Sequence, residues 1–118
     1  MRTLVLLFLL SPFVFYAQQE RKVALSEDKS LIEVVYYHDN GAISQMGTYD
    51  LNGVLHGKWE SYDEKGHKLV MGTYNAGKKD GKWFFWNNEL LREVDYNSNA
   101  IASVREWQDG EKLALNNK

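Results

Sequence analysis

The chain contains no cysteine, so neither a disulfide framework nor a lipidated cysteine is available to it, and the fold must stand on its own packing. It also lacks an apolar run of the roughly 20 residues that a membrane helix needs. The run from Leu4 to Phe15 is interrupted by Ser11 and Pro12 and gives way to Gln18-Gln19-Glu20-Arg21-Lys22. A basic stripe is missing too. There are 14 Lys and Arg against 16 Asp and Glu, for a net charge of −2, and the one basic pair in the patterned region, Lys78-Lys79, is followed at once by Asp80. Binders of nucleic acid or of anionic membranes concentrate cations on one surface, so neither partner is expected.

Met1-Arg2 ahead of the apolar run, with Ala17 after it, reads as a secretory signal peptide over residues 1–17, cut after Ala17. The protein is then exported to the periplasm or the exterior of a Gram-negative envelope, with no transmembrane span once the leader is gone. Residues 18–30 are polar and charged without alternation and read as a flexible linker. Residues 31–107 carry the pattern, and 108–118 read as a polar tail. A single domain of this size is small but folds without staples.

Within the patterned region, Gly47-Thr48-Tyr49 and Gly72-Thr73-Tyr74 repeat, each followed by Gly-Lys-Trp at Gly57-Lys58-Trp59 and Gly81-Lys82-Trp83. A fixed period of this length marks units that bury their apolar faces only by stacking on one another. Tyr37, Tyr62 and Trp86 precede turns; Tyr49, Tyr74 and Tyr96 close the next strands; Trp59, Trp83 and Trp107 recur at even spacing. This gives three units, the last degenerate. Apolar and aromatic runs alternate with turn clusters such as His38-Asp39-Asn40-Gly41, Asp63-Glu64-Lys65-Gly66 and Asn97-Ser98-Asn99, the signature of hairpins. About seven strands are expected, near 32–37, 42–50, 57–63, 67–75, 81–87, 90–96 and 100–107. The connections are too short for the crossovers that parallel strands require. The expected fold is therefore all-β, an open antiparallel meander of stacked hairpins in a single sheet.

Gly47, Gly57, Gly72 and Gly81 fall at or beside strand positions, where a missing side chain leaves a groove for a Tyr or Trp of the next strand. Strand alternation places Gly81, Trp83 and Phe85 on one face and Lys82, Phe84 and Trp86 on the other, and sets Trp59 with Gly57 and Ser61 against Tyr62 with Lys58 and Glu60. Both faces carry rings, and a one-layer sheet has no second layer to cover them. The candidate partner-binding face is Tyr37, Tyr62, Phe84 and Trp86, offered to an envelope protein or glycan, because Tyr and Trp are enriched at interfaces. The competing expectation is that these rings seal the sheet.

The pattern Tyr-x-x-x-Gly, Gly-x-Tyr, x-x-Gly and x-Gly-x-Trp, as in Tyr62 to Gly66, Gly72 to Tyr74, Gly77 and Asp80 to Trp83, resembles the variant MORN repeat. Small secreted proteins of this kind occur in Bacteroidota, some of them described as YwqK-type and antitoxin-like. The resemblance covers about residues 34–107 and implies stacked hairpins used as a scaffold or binding surface, with no catalytic residues to carry over.

Enzymatic readings find little to build on. His38, His56 and His67 have no metal-ligand spacing. The glycines are spread at hairpin spacing, with no helix to receive a phosphate, and no Gly-x-Ser-x-Gly elbow is present. Asp63-Glu64, Asp109 and Glu111 fall in turns or the tail, where nothing suggests burial that would shift a pKa. A non-enzymatic binding or scaffolding module without metal or cofactor is therefore expected. The alternatives are a self-assembling envelope component pairing through strand edges, with Val34-Val35-Tyr36-Tyr37 near the first edge, and, less favoured, an antitoxin-like role or an envelope hydrolase.

Overall fold

A computed structural model describes residues 20–108 and the backbone of 111–113; the expected signal peptide lies outside them. The described residues form one nine-stranded antiparallel sheet in strict sequence order: β1 Arg21–Leu25, β2 Leu31–Tyr37, β3 Ile43–Asp50, β4 Gly57–Tyr62, β5 Lys68–Asn75, β6 Lys78–Asn87, β7 Leu90–Asn97, β8 Ala100–Gln108 and β9 Glu111–Leu113. Seven of these strands are the expected meander. The other two correct the sequence reading, since β1 lies in the stretch read as a linker and β9 in the stretch read as a tail. Val34-Val35-Tyr36-Tyr37 is consequently interior, with β1 paired along it from Arg21 opposite Tyr36 to Leu25 opposite Ile32.

Tight turns account for the pairing. Asn75 sits opposite Lys78 with Ala76 and Gly77 at φ 51° and 89°, and Asn97 sits opposite Ala100 with Ser98 and Asn99 at φ 50° and 75°. Two successive positive φ values define the two-residue turn whose twist suits a hairpin. Because the first of these turns is so short, β6 begins at Lys78 rather than near residue 81. At the longer turns, side-chain oxygens replace lost ladder bonds: Asp63 Oδ1 accepts from the backbone N–H of Lys65 and His67, at 2.9 and 2.8 Å. Neighbouring turns are also tied together, with Asn40 Nδ2 donating to Glu64 O at 3.0 Å and Lys79 N–H to Asn99 Oδ1 at 2.8 Å.

The register lays one row straight across the sheet: Val23, Val34, Gly47, Trp59, Gly72, Trp83, Val94 and Val104. Its members Val34, Trp59, Trp83 and Val94 are the buried hydrophobic core. Trp59 lies over Gly47 and Trp83 over Gly72, so closely that a Cβ on either glycine would meet ring carbons at 2.1 and 2.0 Å. Each indole donates to the strand it covers, Trp59 Nε1 to Thr48 O at 2.8 Å and Trp83 Nε1 to Thr73 O at 3.0 Å. In the third unit Val94 faces Val104. Two medium side chains there fill the space that a ring over a glycine fills in the first two units.

Three repeat positions behave differently from expectation. Gly57 and Gly81 accept no ring. They stand at φ 102° and 73°, Thr48 Oγ1 lies nearest to a Cβ built on Gly57, and nothing approaches one built on Gly81, so backbone conformation rather than ring packing explains them. Trp107 is opposite Leu91, on the same face as Trp86, and not in the Trp59 and Trp83 row. Even spacing in sequence put it in that series, but an odd step from Val104 along β8 turns its side chain to the other face.

Candidate functional site

The two faces differ in chemistry. On the tryptophan face a second row flanks the core, and its tyrosines meet the indoles edge to face: Tyr49 with Trp59 at 5.3 Å, Trp59 with Tyr74 at 6.4 Å, Tyr74 with Trp83 at 5.0 Å and Trp83 with Tyr96 at 6.1 Å between centroids. This is the arrangement that ring quadrupoles favour. Lys79 Nζ lies over Trp83 and Tyr96, at 5.4 and 5.1 Å from the ring centres. The Tyr49 hydroxyl shares a 3.2 Å hydrogen bond with Tyr36, and that bond, with burial second, pushes its pKa up to about 12.

An open cavity of about 410 Å³ lies on this face, lined by Tyr49, Leu55, Trp59, Tyr74, Trp83, Val70, Gln45, Ser61 and Glu60. Its construction follows from the register. Gln45 is opposite Ser61, and Ser61 opposite Val70, so two small or flexible polar side chains stand beside the ring row and leave room next to Trp59. Among the described residues the Gln45 amide and the Ser61 hydroxyl have no hydrogen-bond partner. The recess therefore offers ring walls and unspent polar groups to whatever enters it.

On the opposite face, carboxylates bridge cations. Glu60 lies 3.1 Å from Lys68 and 3.5 Å from Lys58; Glu93 lies 3.0 Å from Arg105 and 3.2 Å from Lys82, which also reaches Asp95 at 3.4 Å. Burial works to raise the Glu60 pKa, but the hydrogen bonds from Lys68 and Tyr62 and the two ammonium charges outweigh it, and the net shift is downward. Tyr37, Tyr62, Phe84 and Trp86 are all on this ionic face, all half-buried. Each is already engaged. The Tyr62 hydroxyl donates to Glu60 Oε1 at 2.9 Å, Phe84 stacks on Trp86 at 6.0 Å, and Lys22 Nζ sits 5.8 Å over the Tyr37 ring. A shallower hollow on this face is lined by Glu33, Val35, Met46, Thr48, Lys58 and Glu60 and includes none of the four.

Sequence reasoning thus gathered four rings that do share a face but missed the recess on the other. Its signal was present, since the alternation that set Ser61 with Trp59 also sets Gln45 with Gly47. Ring content drew attention to the residues already spent on packing.

The histidines and the turn carboxylate Asp63 have structural partners, while Asp109 and the side chain of Glu111 lie outside what the structure describes. His38 Nε2 is 2.8 Å from Tyr62 O, His56 Nδ1 accepts from Ala76 N–H at 3.1 Å, and His67 Nδ1 lies 3.2 Å from Asp63 Oδ2. Among the described residues no group of three His, Asp or Glu could hold a metal ion, and no helix is long and apolar enough to cross a membrane. Fold and site together define an open, single-layer antiparallel sheet with a ring-walled recess on one face. No family model, curated protein or solved structure matches the chain.

Proposed function

We propose that this is an exported, non-enzymatic binding module, built of repeats of the variant MORN kind, whose working surface is the recess on the tryptophan face. Its partner is a protein segment that places an apolar side chain between Tyr49, Trp59 and Tyr74 and spends main-chain hydrogen bonds on Gln45 and Ser61. The observation that carries this is the contrast between the faces. On the ionic face Tyr62, Glu60 and Glu93 are bonded to neighbouring side chains, whereas the recess combines ring walls with an amide and a hydroxyl that have no partner among the described residues. A rigid aromatic wall is a low-entropy contact surface, and amide and hydroxyl groups adapt to main-chain donors and acceptors. The absence of enzymatic activity is part of the proposal, supported by the structural use of His38, His56, His67 and Asp63.

The test uses Ser61→Tyr, which fills the recess without removing a core side chain, beside the double variant Tyr62→Ala, Trp86→Ala, each first matched to the parent by circular dichroism. The parent and the double variant should capture the same partner from an envelope fraction, and Ser61→Tyr should lose it. Capture kept by Ser61→Tyr and lost by the double variant would move the site to the ionic face. Turnover of an ester, glycan or phosphoester by purified protein, abolished by substituting one carboxylate or histidine, would replace the binding reading with a hydrolase.

A further inference from the structure

We propose that β1 is a homodimer edge, through which two copies pair antiparallel about Val23 and join their sheets into one. The argument begins with the direction of the backbone groups. Tyr37 N–H donates to Glu20 O and Ser26 N–H to Leu31 O, both at 2.9 Å, and bonding alternates along an antiparallel strand. Glu20, Lys22, Ala24 and Ser26 therefore bond to β2. Arg21, Val23 and Leu25 aim their N–H and C=O groups away from the sheet, at an edge that no described strand covers. Their side chains lie on the tryptophan face, where Val23 and Leu25 are each 55% exposed.

The sequence of β1, Arg-Lys-Val-Ala-Leu, selects the partner and the register. Paired with a second copy about Val23, it sets Arg21 opposite the other chain's Leu25, Lys22 opposite Ala24 and Val23 opposite Val23. Every outward N–H and C=O then finds a partner, and no cation faces a cation. Sliding the register one way sets Lys22 against Lys22, and further sliding sets Arg21 against Arg21, contacts that like charges oppose. Sliding it the other way centres the pairing on Ala24 and carries Arg21 past Leu25, the last residue of β1, so the outward N–H and C=O of Arg21 lose their strand partner. In the favoured register Val23 meets Val23 at the end of the core row, so the row continues from one copy into the next. Such a contact is isologous and closes at two chains. It is independent of what fills the recess.

The cysteine-free sequence makes the pairing testable by introduced thiols. Two residues directly opposite in a bonded antiparallel pair have Cα atoms about 5.5 Å apart, within disulfide reach. Val23→Cys is expected to yield a covalent dimer on mild oxidation at least tenfold faster than Ile101→Cys, an equally exposed site in β8. Sedimentation velocity of the unmodified protein should show a reversible dimer. Val23→Pro removes an outward donor without touching a bond to β2, and proline is tolerated on such an edge; it should raise the dimer dissociation constant at least tenfold with the circular dichroism unchanged. A monomer at all concentrations, a dimer indifferent to Val23→Pro with no preferential crosslink from Val23→Cys, or open-ended growth into filaments would each overturn the proposal. If Val23→Pro disturbs the fold, the comparison of crosslinking rates decides alone.

Discussion

Gly72→Ala is the smallest change that should damage this fold severely. The added Cβ would lie 2.0, 2.2 and 2.5 Å from three atoms of the Trp83 ring, whereas carbon contacts settle near 3.5–4.0 Å, so the ring must retreat by roughly 1.5 Å. It has nowhere to go. Trp83 is 3% exposed, with Tyr74 and Tyr96 set edge-on against it and its Nε1 tied to Thr73 O at 3.0 Å. Overpacking of this kind costs about 1–3 kcal/mol, and a stretched or broken indole hydrogen bond adds roughly 0.5–1.5 kcal/mol. A loss of about 2–4 kcal/mol is a large share of the 5–15 kcal/mol typical of a domain, and near 4–8 °C per kcal/mol it lowers Tm by roughly 10–30 °C. Urea denaturation followed by circular dichroism measures it. The decisive comparison is a double-mutant cycle with Trp83→Ala, which by itself should cost about 3–5 kcal/mol. With the ring gone, the methyl at residue 72 enters open space and its cost should fall to near zero, a coupling of about 2 kcal/mol or more. Gly72→Ala within about 0.5 kcal/mol of the parent, or an equal cost in both backgrounds, would refute the view that the glycine exists to seat the ring.

Other expectations follow from the same geometry. Trp107→Ala should cost clearly less than Trp83→Ala in the same urea assay, because Trp107 is only half-buried and on the opposite face. Glu60 has its folded pKa below the ordinary glutamate value of about 4.3; the stability it contributes is present above that value and lost as pH falls through the folded one. Thermal melts between neutral pH and pH ~3 should therefore show the gap between parent and Glu60→Gln closing as acid is added. Tyr49 is held in its neutral form up to about 12, so its contribution is intact below the ordinary tyrosine value of about 10 and fades as pH rises from there toward 12. Tyr36→Phe should bring the highest tyrosinate transition down in a spectrophotometric titration.

The legible part of the sequence was its punctuation. Turn clusters at hairpin spacing and paired Gly-Thr-Tyr and Gly-Lys-Trp signals correspond to seven of the nine strands and to the stacking of Trp59 on Gly47 and Trp83 on Gly72. Parity was harder to read. Register shifts at Tyr36/Tyr37, Ser61/Tyr62 and Asp95/Tyr96 insert single residues, so even spacing in sequence ceases to guarantee a common face, and Trp107 was miscounted for that reason. β1 was hidden by its polar setting, since an edge strand with every residue exposed has no alternation to announce it. The recess was missed because Gln45 and Ser61 are ordinary strand residues that acquire meaning only once the register places them beside Trp59.

The central claim is that partners meet this sheet on its tryptophan face, and adjacent residues on β5 allow a direct test that leaves the recess unfilled. Val70 lines the recess opposite Ser61, whereas Met71, opposite Glu60, leaves the strand on the ionic face. A compact diazirine side chain of leucine size placed at one or the other, irradiated in an envelope fraction, should give a defined adduct from residue 70 and none from residue 71. An adduct from residue 71 alone, or from neither, would contradict it.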